Sequence, residues 1–232
     1  MLKDLLDQGL AAQQRAHEAG ELEKNGTYRA GNSWIMYRGK PKGACPRKAW
    51  LRAEGFDIPS EDSVHLMFEA GHLNEDAVAA RLVAAGCEVL RESECPTEWT
   101  TESGVKVTGS PDLLVTDPSG ARAGVELKGV FSMWKAIKCH YDLLPDSGHL
   151  CQAAHYAWQL QVPYKLLYVN RTYWHLSTAP RWLQEKFVGG EVYDVDYKED
   201  GTPLRIKQFI REYDLEWRDG QLWYSTQGLD PV

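Results

Sequence analysis

The residues with chemistry in them cluster in one stretch, GSPDLLVTDPSGARAGVELKG, from Gly109 to Gly129. Asp112 precedes the apolar run Leu113–Val115, and Glu126 and Lys128 sit two apart in a second run, Val125 to Lys128. Side chains two apart on a strand share a face, so Glu126 and Lys128 point the same way. The turn DPSG would fold the two runs into a hairpin and bring Asp112 beside them. Two carboxylates and an ammonium then converge at the end of buried strands, where an unpaired charge is costly. Magnesium and manganese take hard oxygen ligands of this kind, and a lysine beside them can orient water and offset charge developing on a phosphate. That is a set of groups suited to phosphodiester hydrolysis. The plain structural alternative is a hairpin carrying an ordinary same-face ion pair.

Two further patterns bear on it. In FEAGHLNEDAVAARL, Glu75 is seven residues from Phe68 and Leu82 and three from Val78, which gives it the apolar face of a helix and calls for a partner. His72 is a nearby, less well aimed ligand. In QAAHY, Gln152 and Tyr156 are four apart and adjacent on one helix face, an amide and a phenol that can hydrogen-bond phosphate oxygens. Tyr156 could equally be a core aromatic.

The elements that must position these groups alternate in period. An amphipathic helix is expected over 1–24, loop over 25–44, a short helix from Pro46 to Glu54, and a long one from Ser63 to Ala85 closed by Gly86. Strands are expected at Cys87–Glu92, Val105–Gly109, Leu113–Thr116, Gly124–Lys128 and Lys165–Asn170. Helices are expected at Ser132–His140, His149–Gln161 and Leu204–Tyr213, and a hairpin at Arg218-Asp219-Gly220. This order predicts an α/β fold, a central mixed β-sheet flanked by helices, in one domain of 232 residues. Residues 1–60 form a helical, basic region that would receive DNA, 61–175 a catalytic core, and 176–232 a C-terminal α/β extension.

The net charge of -7 argues against a polyanionic partner only on average. From Tyr28 to Arg52 there are seven basic residues (Arg29, Arg38, Lys40, Lys42, Arg47, Lys48, Arg52) and no acidic one, interleaved with Tyr28, Trp34, Tyr37 and Trp50. Arg47, Lys48 and Arg38 suit phosphates and Trp34 or Tyr37 suits a base, the plain alternative being a solvated basic loop with Trp50 in the core. Trp99, Trp134 and Trp158 read instead as core or helix-packing residues. No run reaches the length of a membrane helix, the N-terminus is charged rather than signal-like, and five scattered cysteines suit a reducing cytoplasm.

The order GxxxE, GSPD, ExK, QxxxY resembles the RecB-type branch of the PD-(D/E)XK nuclease superfamily, especially its single-domain phage, archaeal-virus and CRISPR-adaptation exonucleases. The resemblance spans about Cys45 to Asn170. It implies a restriction-endonuclease-like core and a metal-dependent DNA exonuclease acting on linear duplex or single-strand ends in recombination, repair or DNA processing. One or two Mg2+ or Mn2+ ions would be held by Glu75, Asp112, Glu126 and the Leu127 carbonyl. Lys128 would be the catalytic lysine, and Gln152 and Tyr156 would position DNA. A single-strand-annealing or recombinase partner is compatible with it. A structure- or sequence-specific endonuclease on the same fold, or a non-catalytic DNA-end-binding accessory protein, are the other readings. Some relatives hold an iron–sulfur cluster by one early and three late cysteines. Cys45 matches the first, but no cysteine follows Cys151, so no such cluster is expected and Cys45 reads as a small buried residue.

Overall fold

A computed structural model of the chain describes residues 8, 27–37, 39–56, 62–133, 135–136, 145–172, 174–178, 181, 195–207, 209–218 and 221–226. The helix expected over 1–24 lies, but for residue 8, outside them, as do Arg38 and Trp134. In chain order the elements are β1 (Tyr28–Arg29), β2 (Trp34–Tyr37), β3 (Lys40–Gly43), α1 (Pro46–Ala53), α2 (Asp62–Ala84), β4 (Glu88–Arg91), β5 (Thr97–Thr100), β6 (Lys106–Gly109), β7 (Leu113–Thr116) and β8 (Arg122–Gly129). They continue with α3 (Ser147–Leu160), β9 (Tyr164–Asn170), β10 (Trp174–His175), β11 (Val195–Tyr197), β12 (Pro203–Ile206), β13 (Phe209–Arg218) and β14 (Gln221–Thr226).

The main sheet has six strands in the order β14-β13-β9-β8-β7-β4. Its centre, β8 and β9, is parallel, and the other neighbours are antiparallel. A parallel pair needs a crossover, and α3 supplies it. The fold is therefore mixed α/β, with helices packed on a central mixed sheet.

Each face of that sheet has its own apolar cluster. Val78 and Ala79 of α2 pack with Leu113, Val115, Val125, Leu127, Leu167 and Val169. On the other face Ala153, Tyr156 and Ala157 of α3 pack with Tyr164, Leu166 and Tyr168 of β9 and Tyr213 and Leu215 of β13. The helix ends follow local chemistry. Gly86, at φ +89°, closes α2, with Cys87 N–H donating to the Leu82 carbonyl at 3.0 Å. Asp146 caps α3 by accepting from Gly148 N–H at 2.9 Å.

Two expected regions are corrected. Residues 25–44 are not simply loop: β1, a turn of 3-10 helix at Ala30–Asn32 and the β2–β3 hairpin lie there. The hairpin docks on α3, since a Cβ at Gly43 would fall 3.2 Å from Cys151 Sγ. Leu204–Tyr213 is not a helix but the end of β12 and the start of β13. The β13 alternation Tyr213, Leu215 inward against Glu212, Asp214 outward is a strand period, and pairing to β9 along seven positions decides it. The hairpin at 218–221 is as expected, with Arg218 paired to Gln221. At the start of the helix expected over Ser132–His140, Ala136 N–H donates to the Ser132 carbonyl; residues 137–140 lie outside the described residues. Cys45 is exposed rather than buried, because it stands at the turn from β3 into α1.

Candidate active site

The β7–β8 turn sets the geometry. Asp117 Oδ1 accepts from Ser119 N–H, Ser119 Oγ and Ala121 N–H, and Gly120 takes φ +89°. This holds the register Leu113↔Val125, so Asp112, one residue before the ladder, comes beside Glu126. Along β8, Val125 and Leu127 enter the α2-side cluster. Glu126 and Lys128 alternate with them and face α3.

Glu126 is fully buried. Lys128 Nζ donates to its Oε1, and Tyr164 OH to its Oε2 at 3.4 Å. Lys128 also donates to Gln152 Oε1 at 3.3 Å. Asp112 Oδ2 accepts from Leu127 N–H at 2.6 Å, so the Leu127 main chain lies between the two acids. Tyr156 is buried beneath the GSPD loop, where its OH accepts from Ser110 N–H at 3.1 Å. A Cβ on Gly109 would fall 2.7 Å from that OH, so only glycine leaves the phenol room.

Burial above all, and then the Glu126 charge, hold Asp112 well above the usual carboxylate range, with Lys128 pulling the other way. Burial raises Glu126 too, against the same lysine. For Lys128, burial disfavours the charge, yet Glu126 and Asp112 outweigh it and the ammonium is held more firmly than usual. Burial and the two carboxylates push the Tyr156 and Tyr164 phenols up, so both stay protonated. The cluster is a patch of excess negative charge around one ammonium.

Glu75 stands at the edge of this cluster. Its side chain is 15% exposed and hydrogen-bonded to His72 Nδ1 at 3.2 Å, and its charge adds to the upward pressure on Asp112 and Glu126. It does not share a buried face with Phe68, which is 48% exposed because the buried side of α2 turns through Asn74, Val78 and Ala79. His72 is exposed. Among the described residues no three His, Cys, Asp or Glu side chains are already drawn together as a metal-ligand group. Sequence reasoning missed Asn74, whose Nδ2 would lie 3.2 Å from a Cβ at Gly129. It missed Tyr164 as well. Neither sits in a spacing that announces it.

The expected DNA contacts lie on the region before α2. Arg47 and Lys48 are exposed on the first turn of α1, and Trp50 is 57% exposed rather than in the core. Trp34, on β2, does not join the carboxylates but lines a groove against α3. Trp158, read as packing, is 42% exposed in the same groove. No described helix is long and apolar enough to cross a membrane.

No family model matches the sequence, and no curated protein does. Among solved structures, the crystal structure of SSO0001 is similar over 73% of this chain and 75% of that one, at 16% identity and a TM-score of 0.45.

Proposed function

We propose that the chain is a RecB-type PD-(D/E)XK nuclease, a Mg2+- or Mn2+-dependent deoxyribonuclease that hydrolyses phosphodiester bonds from the ends of linear DNA. One observation carries the reading: Asp112 and Lys128 meet around the fully buried Glu126, with Gln152 of the crossover helix on the lysine. Such a cluster is costly for a fold to keep and has no evident structural use.

The donor set fits the ion. Magnesium is commonly held by one or two carboxylates with water completing the shell, so a ready-made three-residue cluster is not required. Burial raises both Asp112 and Glu126, with the Glu126 charge adding at Asp112 and the Glu75 charge at both, and a cation relieves this. Asp112 and Glu126 would hold it, with Glu75 and the Leu127 carbonyl beside them. When bound, such an ion polarises a phosphate oxygen and makes water a better nucleophile.

The chain's own groups supply the rest. Lys128 keeps its proton and offers a fixed positive charge to the phosphate as negative charge develops on it. Gln152 and Glu126 hold that ammonium in place. The Tyr156 phenol anchors Ser110 and so the loop that carries Asp112. The reading puts the protein in a reducing cytoplasm. Linear ends there arise in recombination and repair, where a recombinase or single-strand-annealing protein would take up the remaining strand.

The test uses 5′- and 3′-labelled linear duplex, single-stranded and closed circular DNA with Mg2+, Mn2+ or chelator, for the wild type and Glu126→Gln. Metal-dependent loss of the linear substrates by the wild type alone is expected, the order of label release giving polarity. Cut circles would move the assignment to an endonuclease. Binding with no cleavage of any substrate would overturn the nuclease and leave a DNA-end-binding protein.

A further inference from the structure

Beside the carboxylate cluster, and distinct from it, lies an aromatic groove of about 470 Å³ between the β2 strand, β5 and one side of α3. Trp34 and Ile35 come from β2, Trp99 from β5, and Cys151, His155 and Trp158 from α3. We propose that this groove seats the unpaired bases of a single DNA strand on its way to the carboxylates. The proposal rests on the nuclease reading above and names the form of its substrate.

The rings are held in place before any ligand arrives. Trp99 packs edge-on against Trp158, with centroids 4.8 Å apart and planes at 61°, and its indole N–H points to His155 Nε2 at 3.4 Å. The β2 wall is fixed as well, because Gly43, paired with Trp34, lies against Ser33 and Cys151 too closely for any side chain. What remains open is apolar: Trp34 is 37% exposed, Ile35 55% and Trp158 42%. Burial keeps His155 below the ordinary imidazole range, so the groove floor brings no charge of its own.

The charge lies close by in the chain, on β3, which pairs with the groove strand β2, and on α1, which follows it. Lys40 and Lys42 on β3 and Arg47 and Lys48 on α1 are all exposed, and no acidic residue occurs between Tyr28 and Arg52. A ligand that answers both features has flat apolar faces linked by anions. An unpaired nucleic-acid strand has that character, whereas a duplex hides its base faces in the stack. The two sites also share a helix. Gln152, on the catalytic lysine, is the neighbour of Cys151 in the groove, so the two sites lie on adjacent sides of α3, about 100° apart around its axis. A strand bending round α3 would pass from the indoles to Lys128.

The experiment measures binding of the full chain, in chelator so that nothing is cut, to a labelled single-stranded oligothymidylate, an abasic oligonucleotide of equal length and charge, and a duplex. Trp34→Ala and Trp34→Phe are measured alongside. Tightest binding to the oligothymidylate is expected, weakened roughly five- to a hundredfold by Trp34→Ala and restored by Trp34→Phe, as for the loss of one stacked base. Abasic strand or duplex bound as tightly as oligothymidylate, or Trp34→Ala without effect in a protein of unchanged melting temperature, would overturn the groove. The two readings separate cleanly. A base-dependent groove in a protein that cleaves nothing with Mg2+ or Mn2+ sinks the nuclease alone, and cleavage with a base-blind groove sinks this inference alone.

Discussion

Two lysines on opposite faces of the main sheet each contact acidic side chains, and they differ in almost everything else. Lys165, on β9, reaches Glu212 and Asp214 on the neighbouring β13, and all three side chains are about one-third exposed. Lys128, on β8, holds Glu126 with Asp112 close by, and Glu126 has no exposure at all. The first is a cross-strand pair at a watery surface, where hydrogen bonds to Asp214 and Glu212 outweigh partial burial and raise the lysine. In the second, burial presses against every charge, and the carboxylates are raised despite the lysine. A surface pair of this kind contributes little and costs little. A buried one needs a use, and a site for a divalent ion and a phosphate is such a use.

Truncating each lysine to an apolar chain of similar length tests that contrast most sharply. Lys128→Met leaves the buried Glu126 and the half-buried Asp112 with no countercharge. In chelator it is expected to destabilise the fold by about 3–5 kcal/mol, read from urea midpoints. A cost no larger than that of Lys165→Met would show the two clusters to be equivalent. Next in size is the packing beneath the cluster. Gly109→Ala drives a methyl group against the Tyr156 hydroxyl and to 3.1 Å from Ala30, and is expected to cost about 1–3 kcal/mol and to slow cleavage by shifting the Asp112 loop. An unchanged midpoint would mean that Tyr156 does not support the site.

Much of the carboxylate–lysine cluster was legible because it is local. The apolar flanks of Glu126 and Lys128 announce a strand, DPSG announces its turn, and the two together bring Asp112 to Glu126. QxxxY needs only helix geometry, and the structure does carry Gln152 to Lys128 and Tyr156 to Ser110. What stayed hidden depends on distant partners. Leu204–Tyr213 suits a helix by composition, and only β9 makes it a strand. The β3 half of the β2–β3 hairpin is Lys-Pro-Lys-Gly, which announces no strand, and the hairpin is defined by its seat on α3. Glu75 follows the apolar heptad in sequence, but α2 is rotated so that Asn74 takes the buried position and Phe68 faces out. The groove could not be read because its tryptophans come from three elements whose meeting is purely tertiary.

A smaller effect of opposite sign should come from Asp112→Asn. Burial and Glu126 disfavour the Asp112 charge, while the amide oxygen can still accept from Leu127 N–H. The variant is expected to lose cleavage and yet melt at a higher temperature than the wild type in chelator, a trade of stability for activity. A lower melting temperature would mean that the carboxylate charge stabilises the fold, as at Lys165, and would remove the main reason for reading this cluster as a site.

The smallest effect belongs to Lys165→Met, which is expected to cost at most about 1 kcal/mol at neutral pH and less in high salt, since all three partners touch water. The sign with pH is fixed by the direction of the shift. Lys165 is raised in the folded protein, so its contribution is fully present below the unfolded value of about 10.5 and is lost as pH climbs through the folded one. Wild type and Lys165→Met should therefore differ in urea midpoint at pH 7 and converge in the alkaline range. A gap that persists there would assign the loss to packing of the lysine stem rather than to its charge, and the surface cluster would then owe its stability to β9–β13 contact alone.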